Sequence, residues 1–151
     1  MQPVIRLLTV LVAAGLCAPA LAEEDNAFLV NPALYVQSLY VQDWPGDGAR
    51  YTARLEELKE QCFKREEETG EMCLDFDFFV QAQDHDLTNL TFKNEEQTGD
   101  TAKVRATFMN MGERTTILFD LVKDEKGWVI DEMTTECDTL SGLYRGEEPS
   151  C

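Results

Sequence analysis

The chain is poor in most of what advertises a chemical function. It has one histidine, His85, and none of its five cysteines stands in a Cys-x-x-Cys pair. Two of the commonest routes to a zinc site are therefore closed, and no metal or cofactor is expected. Glycine-rich phosphate loops are absent. Asp75-x-Asp77 begins like a calcium loop but runs on into Phe78-Phe79, with no glycine at the sixth position. Ser38, Ser141 and Ser150 lie in no nucleophile-elbow context. Positive charge is scarce as well: 13 Lys and Arg stand against 29 Asp and Glu, for a net charge of −16. Such a field repels nucleic acid phosphates and anionic lipid, and it steers cationic partners toward the surface. No internal repeat or low-complexity tract breaks the sequence.

Long apolar runs are missing too, except near the N-terminus. Arg6 supplies a sparse positive start, Leu7 to Ala18 is apolar apart from Thr9 and Gly15, and Ala20-Leu21-Ala22 has the small-x-small pattern that signal peptidase cleaves after. A bilayer span needs about 20 apolar residues, more than this stretch offers. A lipid anchor needs a small residue before its cysteine, and here Leu16 precedes Cys17. Residues 1–22 are thus expected to be a signal peptide, leaving a periplasmic or secreted protein with no membrane anchor. The remainder, residues 23–151, suits one domain, since single domains cluster at roughly 100 to 150 residues. Export removes Arg6 and no acid, so the mature protein is more acidic still.

Four cysteines follow the signal: Cys62, Cys73, Cys137 and Cys151. In an oxidising compartment they imply two disulfides, for which three connectivities exist. Pairing Cys62 with Cys73 and Cys137 with Cys151 closes two short local loops and is the expected arrangement.

Asn31-Pro32 reads as a helix start, with Asn as N-cap and Pro where its missing N–H costs nothing. Val36, Leu39, Tyr40 and Trp44 share a helical face, which predicts a helix to about Trp44, stopped by Pro45-Gly46-Asp47-Gly48. A second helix is expected from about Ala49 to Glu68. Its stripe is Tyr51, Leu55, Leu58 and Cys62, and Gly70 terminates it. Glu56, Glu57, Glu60, Glu66, Glu67 and Glu68 would then form a negative surface. Leu74, Phe78 and Ala82 suggest a short helix within 71–86. From Leu87 the period changes to two. Strand-like runs around Leu90 to Lys93, Ala102 to Met109, Thr115 to Lys123 and Trp128 to Thr134 are separated by tight turns. Short turns mean an antiparallel meander, because parallel neighbours need crossovers of a dozen residues or more. The reading is α+β, with N-terminal helices packed on a curled four-stranded meander sheet, Trp128 facing inward, and a last helical turn within Asp138 to Tyr144.

The helical pair, the acidic-aromatic stretch Leu74-Asp75-Phe76-Asp77-Phe78-Phe79 leading to Ala82-Gln83-Asp84, and the hairpin from Phe119-Asp120-Leu121 to Gly127-Trp128-Val129-Ile130-Asp131 resemble a family of exported bacterial proteins of unknown function. That family is placed in the nuclear-transport-factor-2-like, or cystatin-like, superfamily. The resemblance covers most of residues 28–143. It implies a cone-like fold whose open end often forms a pocket, and it implies no activity, since such folds host enzymes, binders and assembly partners alike. Superfamily members with isomerase or dehydratase activity use a pocket Asp as base, sometimes with His or Tyr as acid. Asp75, Asp77, Asp84, His85, Asp86, Tyr35 and Tyr40 are the groups this chain could bring to that task. Asp84-His85-Asp86, however, sits where a loop enters the first strand, which is ordinary ground for solvated charge.

Three functional classes follow. The first is a non-catalytic exported module whose acidic face engages a basic protein. The second is a small-molecule binder with a pocket at the cone mouth, for which Tyr35, Tyr40, Trp44, Asp77, Asp84, His85 and Asp131 are the candidate residues. The third is an enzyme with an Asp base. A filled cone favours the first, and an open cavity lined by Tyr35, Tyr40, Trp44 and Asp131 favours the second.

Overall fold

A computed structural model describes residues 30–151; the expected signal peptide lies outside the described residues. Helix α1 spans Pro32–Tyr40. The Asn31 Oδ1 accepts from the backbone N–H of Ala33 at 3.0 Å and Leu34 at 3.3 Å, the N-cap that the sequence announces. The helix stops one turn short of Trp44. The proline that follows Trp44 disfavours helical backbone there, and Gly46 instead folds back to donate its N–H to the Leu39 carbonyl at 2.8 Å. Gly46 has φ +91°, and a Cβ at this position would lie 2.5 Å from the Phe79 ring, so both backbone and space demand glycine.

Helix α2, Ala53–Thr69, begins later than its apolar stripe suggests. Residues 50–52 are claimed by the sheet. The Ile130 N–H donates to the Arg50 carbonyl at 2.8 Å and the Thr52 N–H to the Ile130 carbonyl at 2.9 Å, so Tyr51 forms a parallel bridge rather than a helical turn. Leu55 and Cys62 form the buried stripe, and Gly70, with φ +75°, closes the helix by donating to the Glu66 carbonyl.

The expected short helix within 71–86 does not form. Asp77 competes with it: its Oδ1 accepts from the Phe79 N–H at 2.7 Å, its carbonyl accepts from Gln81 at 2.8 Å, and its N–H donates to the Ala82 carbonyl at 3.0 Å. Aspartate that satisfies backbone two residues on favours a turn over a helix. The turn buries Phe78, Phe79 and Val80.

Four strands follow as a consecutive antiparallel meander: β1 (Leu87–Thr98), β2 (Thr101–Asn110), β3 (Glu113–Asp124) and β4 (Gly127–Thr134). Met111 and Gly112, at φ 50° and 88°, make the β2–β3 turn of the kind that needs two positive φ values and matches strand twist. Val104 pairs with Phe119, Ala106 with Ile117, Phe119 with Met133 and Leu121 with Ile130, which brings one continuous apolar face onto the helices. Ile130 and Met133 are three residues apart and yet share that face because Asp131 is a bulge. Strand β1 bulges twice, at Asn89-Leu90 and at Glu95. Trp128 is 2% exposed and faces inward, with the Lys123 ammonium 5.7 Å from its ring centre. The Tyr40 ring is the hub of the core, 5.3 Å from Phe92, 5.5 Å from Phe108 and 6.3 Å from Phe119 between centroids. Short helix α3, Leu140–Arg145, is capped by the Thr139 hydroxyl and packs Leu140 and Tyr144 inward. Fold class and meander are thus as read: the described residues form three helices and a four-stranded antiparallel sheet, α+β.

Disulfides join Cys62 to Cys73 and Cys137 to Cys151, with Cα separations of 5.3 and 5.2 Å. The first ties the 71–86 segment to α2, and Asn110 ties the other end of that segment. This buried amide donates to the carbonyls of Val80 at 3.0 Å and Asp84 at 3.3 Å, and its Oδ1 accepts from the Asp86 N–H at 2.9 Å. Replacing Asn110 with Ala strands these groups, and we expect a loss of about 2–4 kcal/mol in urea unfolding, with faster amide exchange at residues 80–86. Peptide mapping of the oxidised mature protein is expected to give a Cys62–Cys73 linked peptide and no free thiol. Removing that bridge with Cys62→Ala and Cys73→Ala should cost about 2–5 kcal/mol; a Cys62–Cys137 peptide would refute the pairing.

Candidate functional site

The candidate residues separate into two groups. Tyr35, Tyr40 and Asp131 do not line a common cavity. Tyr40 is buried, its hydroxyl donating to the Phe79 carbonyl at 3.0 Å. The Tyr35 hydroxyl accepts from the Arg50 N–H at 3.4 Å, and Asp131 accepts from the Thr52 hydroxyl at 2.9 Å and faces Arg54 Nε at 3.5 Å. Tyr40 thus holds α1 to the 71–86 turn, Tyr35 holds α1 to the Arg50 backbone, and Asp131 holds β4 to the start of α2.

Trp44, Asp77 and His85 do come together. The Trp44 indole N–H donates to Asp77 Oδ2, and the His85 ring meets Trp44 edge to face, 4.5 Å between centroids. Asp84 is exposed, its side chain accepting from the His85 N–H and its carbonyl held by Asn110. Asp86 is exposed as well, so the Asp84 and Asp86 carboxylates stand in solvent, as their place at the strand entry suggested.

Trp44 and Asp77 line an open cleft of about 510 Å³. Its walls come from four separate stretches: Trp44 to Asp47 after α1, Tyr51 and Phe63 before and on α2, Leu74 to Phe79 from the turn segment, and Leu140 and Tyr144 from α3. His85 stands behind Trp44 and is not part of the lining. Sequence reasoning missed Tyr51, Phe63 and Tyr144. Tyr51 reads as part of the α2 stripe and Tyr144 only as the end of a last helical turn, but Phe63 left a signal: it is 48% exposed on a helix otherwise clothed in Glu and Lys.

Asp77 is the obvious candidate base, but both its oxygens already accept N–H groups, one from the Phe79 backbone and one from Trp44. Its work here is to shape the turn and hold the indole. Asp75 is exposed at the cleft, and its carbonyl accepts from Gln83 Nε2 at 2.8 Å. Around them the potential is negative. Burial pushes the Tyr144 phenol up to about 12, helped by the charges of Glu56, Asp77 and Glu132. Burial raises Tyr51 too, with Tyr144, Asp77 and Glu56 adding to it. The Lys59 ammonium lies 5.2 Å from the Tyr51 ring centre.

Helix α2 carries the expected acidic surface with one change. Glu57, Glu60, Glu67 and Glu68 are exposed on the side away from Leu55 and Cys62, and Glu56 is half-buried beside Lys59 at 3.7 Å. Glu66 does not belong with them, because it turns to accept the Cys73 N–H at 3.0 Å beside the disulfide.

All four tyrosines of the chain are shifted the same way, Tyr35 and Tyr40 also chiefly by burial. The absorbance rise at 295 nm that marks phenolate should therefore be missing at pH 10, where free tyrosine is about half ionised. The folded protein keeps protons that the unfolded chain releases above about pH 10, so stability is whole below that pH and falls as it climbs toward 12. A tyrosine titrating normally in the native protein would contradict the burial seen here.

Compared with family models, curated proteins and solved structures, the chain matches none.

Proposed function

We propose that the chain is an exported, periplasmic or secreted, non-catalytic binding module that engages a basic protein through an acidic surface centred on α2. The observation that carries this reading is the face of Glu57, Glu60, Glu67 and Glu68, exposed together in a chain of net charge −16. Much of the positive charge on the described surface is spent internally: Arg50 pairs with Asp124, Arg54 with Asp131 and Glu132, Lys103 with Asp120 and Arg105 with Glu95. Among the described residues α2 pairs Lys59 with Glu56 at 3.7 Å and Lys64 with Glu68 at 3.8 Å, the second in solvent, where such a pair is worth little.

The superfamily reading fits the order of elements, a helical pair followed by a four-stranded meander, and it is part of the proposal. So is the cone, whose interior would be the apolar face filled by Tyr40, Phe108, Phe119 and Trp128. A filled interior supports surface recognition over a ligand held at the cone mouth. The second reading, a small-molecule binder, draws support from the cleft at Trp44 and Tyr144. An isomerase- or dehydratase-like role needs an Asp free to take a proton, and Asp77 is already committed to two donors.

The test compares two variants of equal charge: Glu57, Glu60, Glu67 and Glu68 to Gln, and Glu96, Glu113, Glu125 and Glu148 to Gln, all eight residues being exposed. With a lysine-rich peptide as probe, the α2 variant should associate about tenfold more slowly while dissociating at nearly the original rate, and the control should change less than about twofold. The difference should fade at high salt, since the screening length is about 8 Å at 0.15 M. Equal effects from both variants would mean that only total charge matters and would remove α2 as the binding face.

A further inference from the structure

Beside the acidic helix lies a feature that surface charge alone does not account for. The cleft reached past Phe63 is walled by aromatic rings, among them Trp44, Tyr51, Phe76 and Tyr144, and it carries the carboxylates of Asp47, Asp75 and Asp77. No Lys or Arg is part of its lining, and among the described residues none of these three carboxylates has a basic group within 4.0 Å. Tyr144 is 6% exposed, yet among the described residues its hydroxyl makes no protein hydrogen bond and is not sealed from the cleft. A nearly buried phenol left open toward a cavity is a polar group awaiting a partner, able to accept a ligand's N–H as well as to donate its own O–H.

We infer that this cleft is an anchor pocket for one organic cation, an alkylammonium or guanidinium group. The inference rests on the binding-module reading and adds to it the chemistry of the group received. Aromatic faces attract a cation through the ring quadrupole, and nearby carboxylates supply the counter-charge. An anion would meet three like charges. A neutral apolar ligand would cover carboxylates and a phenol without giving them hydrogen bonds, which is costly. A cation with a short alkyl stem satisfies both halves of the lining at once. The protein already makes one such contact for itself, with the Lys59 ammonium over Tyr51. The volume, about 510 Å³, exceeds the needs of one lysine or arginine side chain and leaves room for water around its charged end. Phe63, on the helix that carries the acidic face and at the wall of the cleft, places anchor and steering surface side by side. A basic partner would be drawn in by the glutamates and held by one inserted side chain.

The probes are N-acetyl-lysine methylamide and N-acetyl-arginine methylamide, with N-acetyl-leucine methylamide as the neutral control and putrescine as the free amine. Each is titrated into mature oxidised protein while the Trp44 indole N–H is followed by NMR. The cationic amides should shift that signal saturably in the millimolar range, and the leucine amide should not. Asp47→Asn with Asp75→Asn, and separately the near-isosteric Tyr144→Phe, should each weaken the lysine probe about tenfold while the amide spectrum stays folded. Putrescine binding more than tenfold tighter than the lysine amide would identify a free amine as the source. Displacement of the probe by a lysine-rich peptide, with a faster peptide dissociation rate in Tyr144→Phe and an unchanged association rate, would identify a partner's side chain. Leucine amide binding as well as lysine amide, or no saturable shift with any cation, overturns the inference. Because the glutamate variants act on association and the cleft variants on dissociation, failure of either idea is visible without the other.

Discussion

One buried amide, Asn110, decides whether the segment that forms much of the cleft wall can fold against the sheet at all. The stretch from Glu71 to Asp86 has no helix and no strand, and only a single bridge to lend it regular pairing. Its backbone polar groups would be costly to bury unless partnered. At the end of β2, Asn110 spends both amide hydrogens and its carbonyl oxygen on Val80, Asp84 and Asp86, while the Met111 N–H donates to the Asp86 carbonyl. The segment is thereby fixed to the sheet at one end, with the Cys62–Cys73 bridge fixing the other. Between the two fasteners Phe78, Phe79 and Val80 can enter the core, and Asp77 can hold Trp44 in place.

Local rules made most of the architecture legible. The alternation of Ala102, Val104, Ala106 and Phe108, the turns at Gly99 and Gly112, and the Asn31 cap each depend on neighbours a few residues away, and each lies where its pattern puts it. What escaped depends on distant partners. Residues 50–52 carry a helix-compatible pattern but complete the hydrogen bonding of β4, some eighty positions further on. Trp44 sits on the helical face of Val36 and Tyr40 by spacing, but Pro45 and the Phe79 ring against Gly46 end the helix first. Asp77 reads as one carboxylate among several, and nothing in sequence spacing tells that its oxygens serve Phe79 and Trp44.

The site was half legible for the same reason. Trp44 and Asp77 are named from the sequence, Trp44 as an aromatic at the cone mouth and Asp77 among the acids that the family resemblance puts forward. Tyr51 and Tyr144 are separated by the whole of α2 and the sheet, and only the packing of α3 against α2 brings their rings to one cleft. Tyr35, Tyr40 and Asp131 are named there because an open cone mouth would be lined by them. Their polar atoms satisfy the backbone or the helix–sheet junction, which is the commonest fate of such groups in a well-packed interior.

A sheet with open sides invites further strands, and a meander has two such sides. The side along β4 is closed from within by Arg50 to Thr52. Along β1 the ladder is interrupted at Asn89-Leu90, where Asn89 takes φ 56°, and again at Glu95, whose side chain is drawn to Arg105 and Lys93. Interruptions and charge of this kind spoil the straight run of donors and acceptors on which a strand from another molecule would seat itself. The fold therefore resists edge-to-edge stacking, so that crowding among its own copies does not turn the sheet into a template for aggregation.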